Sequence, residues 1–380
     1  MYSNEIIENN INWLLYSDVR IKQGEDRGAM YGWKDLTTSS YPFIYSEIVG
    51  YAITCFSWMH TEKSNYYALN GAHESSKWIL KNMKSDLLVA GKLNKYNAFD
   101  LKGDIFDQIY SFDNGMILSG LLNLYNIDKD PEDLQAAIRI ADALIAKFFD
   151  KTKMIAILDS SFNPTSYGKG KWSTMSGSYH AKIAMGLLKL FKIKKKSIYK
   201  DVSISICDFA LMMQEPDGRF RTNDEHDLTY VHPHLYSCEG LLYAGLELQN
   251  SRYVESCLKG LEWAIKQMEM NNGSLPRSTK EDIEQSDCMA QLLRLLIICY
   301  FELEKRGNPL LSTMIEKLKT GLLGLYVFDD ENKSGGFKYQ KSTNQICTWC
   351  TMFAAQAFSY YKLIEKKNNY LMRDLMEYYI

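Results

Sequence analysis

The sequence has no stretch apolar enough to cross a bilayer. Its longest uninterrupted apolar run, Leu295 to Phe301, falls far short of the roughly 20 residues that a spanning helix needs. Basic excess is missing too. Lys plus Arg number 44 against 46 for Asp plus Glu, a formal net charge of −2, and this balance argues against a dedicated nucleic-acid binder. The densest basic stretch, Lys192, Lys194, Lys195 and Lys196, falls between two helical patterns and reads as a solvated turn. Met1 to Tyr16 lack the basic n-region and apolar core of a signal peptide, so the expected location is the cytoplasm. Neither a Walker loop nor a dinucleotide glycine fingerprint occurs, and no nucleotide cofactor is expected. The 8 cysteines (55, 207, 238, 257, 288, 299, 347 and 350) are scattered rather than gathered in a loop-rich scaffold. They read as reduced core thiols.

What is present is a normal globular balance, 46% hydrophobic and 24% charged, with apolar residues spaced at three and four positions and almost no strand alternation. Six segments are apolar or small on nearly every face: 42–61, 112–127, 173–193, 233–249, 285–303 and 346–364. Such helices are buried all round. Each of the first five is followed by an amphipathic helix, at 66–83, 131–149, 198–213, 252–268 and 309–326. The sixth amphipathic partner comes from 5–16 or from 369–379.

The starts recur every 50–70 residues or so, a period that signals repeated supersecondary units. Short turns such as Asp128-Lys129-Asp130 before Pro131 alternate with long loops bearing glycine and aromatic residues. Those loops, Pro216–Phe220, Asn272–Pro276 and Gly335–Tyr339, read as tight turns or β-hairpins on one rim. The expectation is one all-α domain over residues 1–380, an (α/α)6 toroid with inner and outer helix rings. An open α-solenoid uses similar hairpins, but its buried face is a single stripe.

In such a ring the inner-helix N-termini gather at one end, bringing partial positive charge and free N–H groups. The polar residues there are the candidates: Tyr45 and Glu47; Asp113; Trp172, Ser173 and His180; His232, His234, Tyr236 and Glu239; Asp287; Thr348 and Trp349. Asp113 serves either as an N-cap or as an acid protonating a leaving oxygen, and Asp287 has the same two readings. Within His232–Glu239, Tyr236 and Glu239 share a helix face with the two histidines at its mouth. Arg219, Arg221 and Arg277, with Glu225 nearby, are ordinary surface charges singly but together could hold a uronate carboxylate. Trp172 and Trp349 are candidate stacking platforms, and 26 tyrosines suit sugar faces. Cys238, Cys288, Cys347 and Cys350 with His232 and His234 offer a zinc alternative, but Cys347-Thr-Trp-Cys350 lacks a second spaced pair. No metal is expected.

On Thr229–Tyr243, Asp287–Leu293, Gly335-Gly-Phe337 and Thr348–Ala357, the chain resembles the six-hairpin glycosidase-like superfamily. More narrowly it is similar to toroidal proteins of surface-polysaccharide and glycoprotein pathways. The resemblance implies an (α/α)6 fold and an oligosaccharide or glycan ligand, free, lipid-linked or protein-linked. It also implies hydrolases using one or two carboxylates, unsaturated glucuronyl hydrolases among them. Asp113 resembles the aspartate at an inner-helix start of that group, in different flanking sequence. Lyases and uronyl C5-epimerases of related toroids use Tyr, His or Glu beside a carboxylate, which would suit His234, Tyr236 and Glu239. Three functions follow: hydrolysis with Asp113, Glu239 and Asp287 as acid and base; epimerisation or elimination; and glycan binding without turnover.

Overall fold

A computed structural model describes residues 3–84, 86–88, 91–93, 108–159, 161–165, 171–223, 227–330, 332–366 and 370–380. The helices in chain order are α1 (Ser3–Tyr16), α2 (Ser46–Lys63), α3 (Tyr66–Asn82), α4 (Ser111–Asp128), α5 (Pro131–Phe148), α6 (Ile183–Lys194) and α7 (Ser197–Met212). After these come α8 (Val231–Leu248), α9 (Ser251–Met270), α10 (Ser286–Ile298), α11 (Tyr300–Lys305), α12 (Leu311–Leu323), α13 (Thr348–Glu365) and α14 (Met372–Glu377). A 3-10 segment, Ser178–Lys182, leads directly into α6.

Helices α2, α4, α6, α8, α10 and α13 form the inner ring. Each packs on the next, and α13 returns to α2, so the array closes rather than running on as a solenoid. The pattern that marked these helices as buried all round is realised in α4, where every residue from Ser111 to Leu124 is buried. Glycines permit the close approach. A Cβ on Gly50 would meet the backbone of Ile117, and one on Gly240 would meet the backbone of Ala181 and Lys182.

Helices α1, α3, α5, α7, α9 and α12 lie outside, each with one buried stripe. The inner-to-outer turns are tight. Four inner helices end on a left-handed residue, Ser64, Lys129, Lys195 or Gln249. Asn65, Asp130 and Asn250 then cap α3, α5 and α9 through their side chains. The apolar residues of both rings join in a continuous core.

The sixth outer helix is the N-terminal one: α1 packs along α13. The short α14 has another place. It contacts α8, and the residues after it, Tyr379 and Ile380, are buried against Arg294 and Gln356. Two inner segments depart from the expected spans. Trp172–Thr174 is an isolated 3-10 turn rather than the start of a helix reaching Ile193. The fifth inner helix breaks at Cys299, where ψ turns to 9°.

Among the described residues eight short strands decorate one rim: β1 (Trp33–Asp35), β2 (Phe43–Tyr45), β3 (Gly91–Leu93), β4 (Gln108–Tyr110), β5 (Ile157–Asp159), β6 (Tyr326–Asp329), β7 (Ser334–Lys338) and β8 (Gln345–Cys347). Antiparallel pairing joins β1-β8-β7-β6 in one sheet, β2 with β3, and β4 with β5. The Gly335–Tyr339 hairpin is therefore part of a four-stranded sheet. Pro216–Phe220 forms a tight turn closed by one bridge between Gln214 and Phe220. Asn272–Pro276 is a turn without strands; the bridges begin only at Ser278. Among the described residues no helix is long and apolar enough to cross a membrane.

Candidate functional site

Strands β2, β4 and β8 each run straight into an inner helix, α2, α4 or α13, and this geometry replaces side-chain capping. None of α2, α4, α8, α10 and α13 has a side-chain N-cap hydrogen bond. Instead the first helical N–H donates to a carbonyl of a rim loop: Ser111 to Ala156, Val231 to Arg277, Ser286 to Tyr339 and Thr348 to Gly32. The hydroxyls follow suit, Ser286 Oγ donating to Lys338 O and Thr348 Oγ1 to Tyr31 O, both at 2.7 Å. Asp113 is thus relieved of capping. Tyr110 occupies the N-cap position, and of the aspartate only Oδ2 is left without a partner among the described residues.

A cleft of about 280 Å³ opens where the inner helices begin, at the small end of ligand pockets, about 300–1,000 Å³. Of the residues singled out by sequence, Tyr45, Glu47, Asp113, Trp172, Ser173, His232, Tyr236, Arg277, Asp287 and Trp349 all line it. Aromatic rings make most of the remaining wall: Trp33, Phe43, Tyr110, Phe112, Tyr179, Tyr230 and Tyr339. The rings brace one another, Phe112 at 4.7 Å and His232 at 4.4 Å from Tyr236, and Trp172 edge-on to His232 at 5.9 Å. Lys171 completes the positive side with Arg277, whose guanidinium also pairs with Glu281 at 3.1 Å.

Asp113 is 3% exposed, and its Oδ2 has no hydrogen-bond partner among the described residues. Burial, reinforced by the nearby Glu47, pushes its carboxyl well above the usual range, which favours the protonated form. Glu47 is also pushed up by burial, opposed by hydrogen bonding from Tyr45 and Tyr51 and by the charge of Lys182. Asp287 has both oxygens engaged: Cys288 N–H donates to Oδ1 at 2.8 Å and Trp349 Nε1–H to Oδ2 at 3.3 Å. His232 Nδ1 stands 2.5 Å from Gln291 Oε1 and 3.7 Å from Asp287 Oδ2. Burial holds this imidazole below its ordinary pKa, against the pull of Asp287, Gln291 and Glu239.

The other candidates lie elsewhere. Glu239 does not line the cleft. It sits further along the same helices, fully buried, 2.7 Å from Lys182 Nζ and 3.5 Å from Arg294 Nη2. Tyr379 OH and Gln291 Nε2 donate to its Oε1 at 2.7 and 3.1 Å. A buried carboxylate needs such partners, and a cation two helices away cannot be read from local spacing. His234 braces a loop: its Nδ1 accepts from Phe220 N–H at 3.1 Å and its Nε2 lies 3.0 Å from Gly260 O. His180 is likewise interior, with Nε2 3.1 Å from Ser111 Oγ. Arg219 and Arg221 pair with Asp227 and Glu215 away from the cleft. Thr348 spends its hydroxyl on the rim, and Glu225 lies outside the described residues.

Three donors approach a metal-ligand set: His232, Asp287 and Cys288 place ligand atoms within 4.8 Å of one another. The set fits a metal poorly. The aspartate and histidine atoms already serve protein partners, and burial beside Asp287 drives the Cys288 thiol well above its usual pKa, away from the thiolate a metal requires. Sequence reading missed Lys182, Gln291 and Arg294, which lie deep inside apolar patterns. It also missed most of the rim aromatics, for which one signal was available: Tyr110 and Tyr230 stand immediately before α4 and α8, as the candidate Tyr45 does before α2.

By sequence the chain matches no family model and no curated protein. By structure it is similar to a sugar epimerase from a ruminal bacterium, at 12% identity over 97% of this chain and 98% of that one, TM-score 0.77. It is also similar to cellobiose 2-epimerase from Bacillus thermoamylovorans (13% identity, 96% and 99% covered, TM-score 0.76). A third similar structure is the unsaturated glucuronyl hydrolase of Bacillus sp. GL1 (12%, 96% and 97%, TM-score 0.64). The fold is the six-hairpin (α/α)6 toroid. Likeness at this identity carries the toroid architecture and leaves its chemistry to be argued from the cleft.

Proposed function

We propose that this toroid is a glycan-active enzyme working by acid–base chemistry, with hydrolase-like use of Asp113 as proton donor. The observation that carries the reading is a buried carboxyl with an unpartnered oxygen, its pKa pushed up by burial, set among aromatic rings suited to sugar faces. In hydrolysis Asp113 gives its proton to the glycosidic oxygen as the bond to the anomeric carbon breaks. A water oxygen bonds to that carbon and its proton passes to a base. Glu239 is too deep to be that base, Glu47 is itself pushed toward the neutral form, and both Asp287 oxygens are engaged. His232 is the base that remains: neutral, at the cleft wall, with Nε2 making no hydrogen bond among the described residues. Solvent resets both groups. Arg277 and Lys171 suit a sugar carrying a carboxylate, which keeps a uronate-containing glycan as the preferred substrate class.

The same pair supports a second reading, in which His232 removes a proton from carbon beside a sugar carbonyl and the sugar is epimerised. The neutral imidazole favours it, and so do the two epimerase structures with TM-scores of 0.77 and 0.76. Incubation with uronate-containing and neutral oligosaccharides in D2O, followed by NMR, separates the two. New reducing ends without deuterium on carbon, abolished by Asp113→Asn, support hydrolysis. Deuterium entering at carbon supports epimerisation. Saturable binding with neither change, indifferent to Asp113→Asn, would replace both with a glycan-binding role.

A further inference from the structure

Gln291 stands between two groups with opposite demands. Its amide nitrogen donates to Glu239 Oε1 at 3.1 Å, and its amide oxygen lies 2.5 Å from His232 Nδ1. A side-chain amide can ordinarily be turned over, exchanging donor and acceptor. Here the turn is blocked. Glu239 is a carboxylate ringed by Lys182, Arg294 and the Tyr379 hydroxyl, so it only accepts. A turned amide would set its oxygen against Glu239 Oε1 in a fully buried place, exchanging a hydrogen bond for a repulsion. The amide oxygen therefore faces His232, and an acceptor at Nδ1 requires a proton on Nδ1.

We infer that Gln291, locked by Glu239, is a positioning residue that holds His232 as its Nδ1–H tautomer, so that the Nε2 lone pair is presented to the cleft. The ion cluster beneath the cleft thereby sets the proton on a ring it never touches. Asp287 cannot substitute for Gln291, because its Oδ2 is 3.7 Å from Nδ1 and already accepts from Trp349. The functional weight of the tautomer rests on the proposed role of His232 as base, but the tautomer itself is a property of the resting protein.

The test is a long-range 1H–15N correlation spectrum of the full chain labelled at histidine nitrogen, with His232 assigned by its loss in His232→Asn. The expected spectrum shows a protonated Nδ1 and an unprotonated Nε2 for His232 at neutral pH. In Gln291→Met, similar in length but without the amide, this pattern gives way to the Nε2–H form or an exchanging mixture. If turnover has been found, kcat falls about tenfold or more with KM little changed, as when a base loses its proper protonation state. A wild-type His232 protonated on Nε2 overturns the inference, as does an Nδ1–H pattern that persists in Gln291→Met. The wild-type spectrum is decisive even if the variant does not fold. Because no substrate is needed, the outcome is independent of whether the acid–base function holds.

Discussion

Asp113 and the buried histidines make the cost of the site measurable one residue at a time. The folded pKa of Asp113 lies above its unfolded value, so the folded state keeps a proton that the unfolded state releases. Stability is lost as pH rises through that interval. Asp113→Asn removes the loss, and chemical denaturation at pH 7 should show the variant more stable by about 0.5–2 kcal/mol while activity disappears. The advantage should shrink as pH falls toward 4. His180 and His234 act in the opposite direction. Burial lowers them to about 3 and about 4, so between those values and 6.5 the unfolded chain binds protons that the folded chain refuses. Each then removes up to about 1.4 kcal/mol per pH unit on acidification below 6.5. Denaturation curves at pH 7, 6 and 5 should accordingly fall more steeply for Asp113→Asn than for the wild type. Parallel curves would mean that Asp113 is ionised in the fold.

At the scale of the element, the repeat is written more fully than apolar spacing reveals. Ser46, Ser111, Ser178, Ser286 and Thr348 open five of the six inner segments, and the bonds of Ser286 and Thr348 to rim carbonyls show why a hydroxyl suits the position. The helix spans were legible because burial on every face and burial on one stripe leave different patterns. Of the short strands only the Gly335–Tyr339 hairpin was announced, by its glycines and aromatics; strands that pair three residues across a rim carry no alternation of their own. Several inner-helix contacts are close because a side chain is absent, and Gly240 gives such a contact a test. Gly240→Ala would drive a methyl into the backbone of Ala181 and Lys182, costing about 1–3 kcal/mol or more as overpacking. A shift in urea midpoint at unchanged slope would report it, and an unchanged midpoint would mean that the two helices can part.

For the whole molecule, the decisive feature is the polar layer below the cleft. Lys182 and Arg294 are buried with Glu239 as their shared anion, Lys189 is buried against Asn123 Oδ1, and main-chain carbonyls after α13 supply the balance. Lys182 donates to Ile380 O at 3.1 Å, Lys189 to Glu377 O at 2.7 Å, and Arg294 to Ile380 O at 3.0 Å. Burial still depresses Lys182 and Lys189 to about 8. Tyr379→Phe deletes one donor to Glu239 and should lower stability by about 1.5–3 kcal/mol, read by thermal or urea unfolding. An unchanged stability would show that Glu239 is held by its cations alone. Of this layer only Glu239 was legible in the sequence. Glu239 was noticed because it is charged inside an apolar helix, but its partners come from α6, α10 and the last residues, brought together only by ring closure.

That layer, with the pairing of α1 along α13, also bears on how the chain is made. Synthesis runs from the N-terminus, so α1 emerges more than 300 residues before its inner partner. The buried cations of α6 and α10 likewise wait for residues 377–380 before their donors are satisfied. Hairpins can form one by one as they leave the ribosome, yet each nascent intermediate has an open seam and an unneutralised interior. Closure of the toroid is therefore a long-range event that joins segments synthesised more than 300 residues apart.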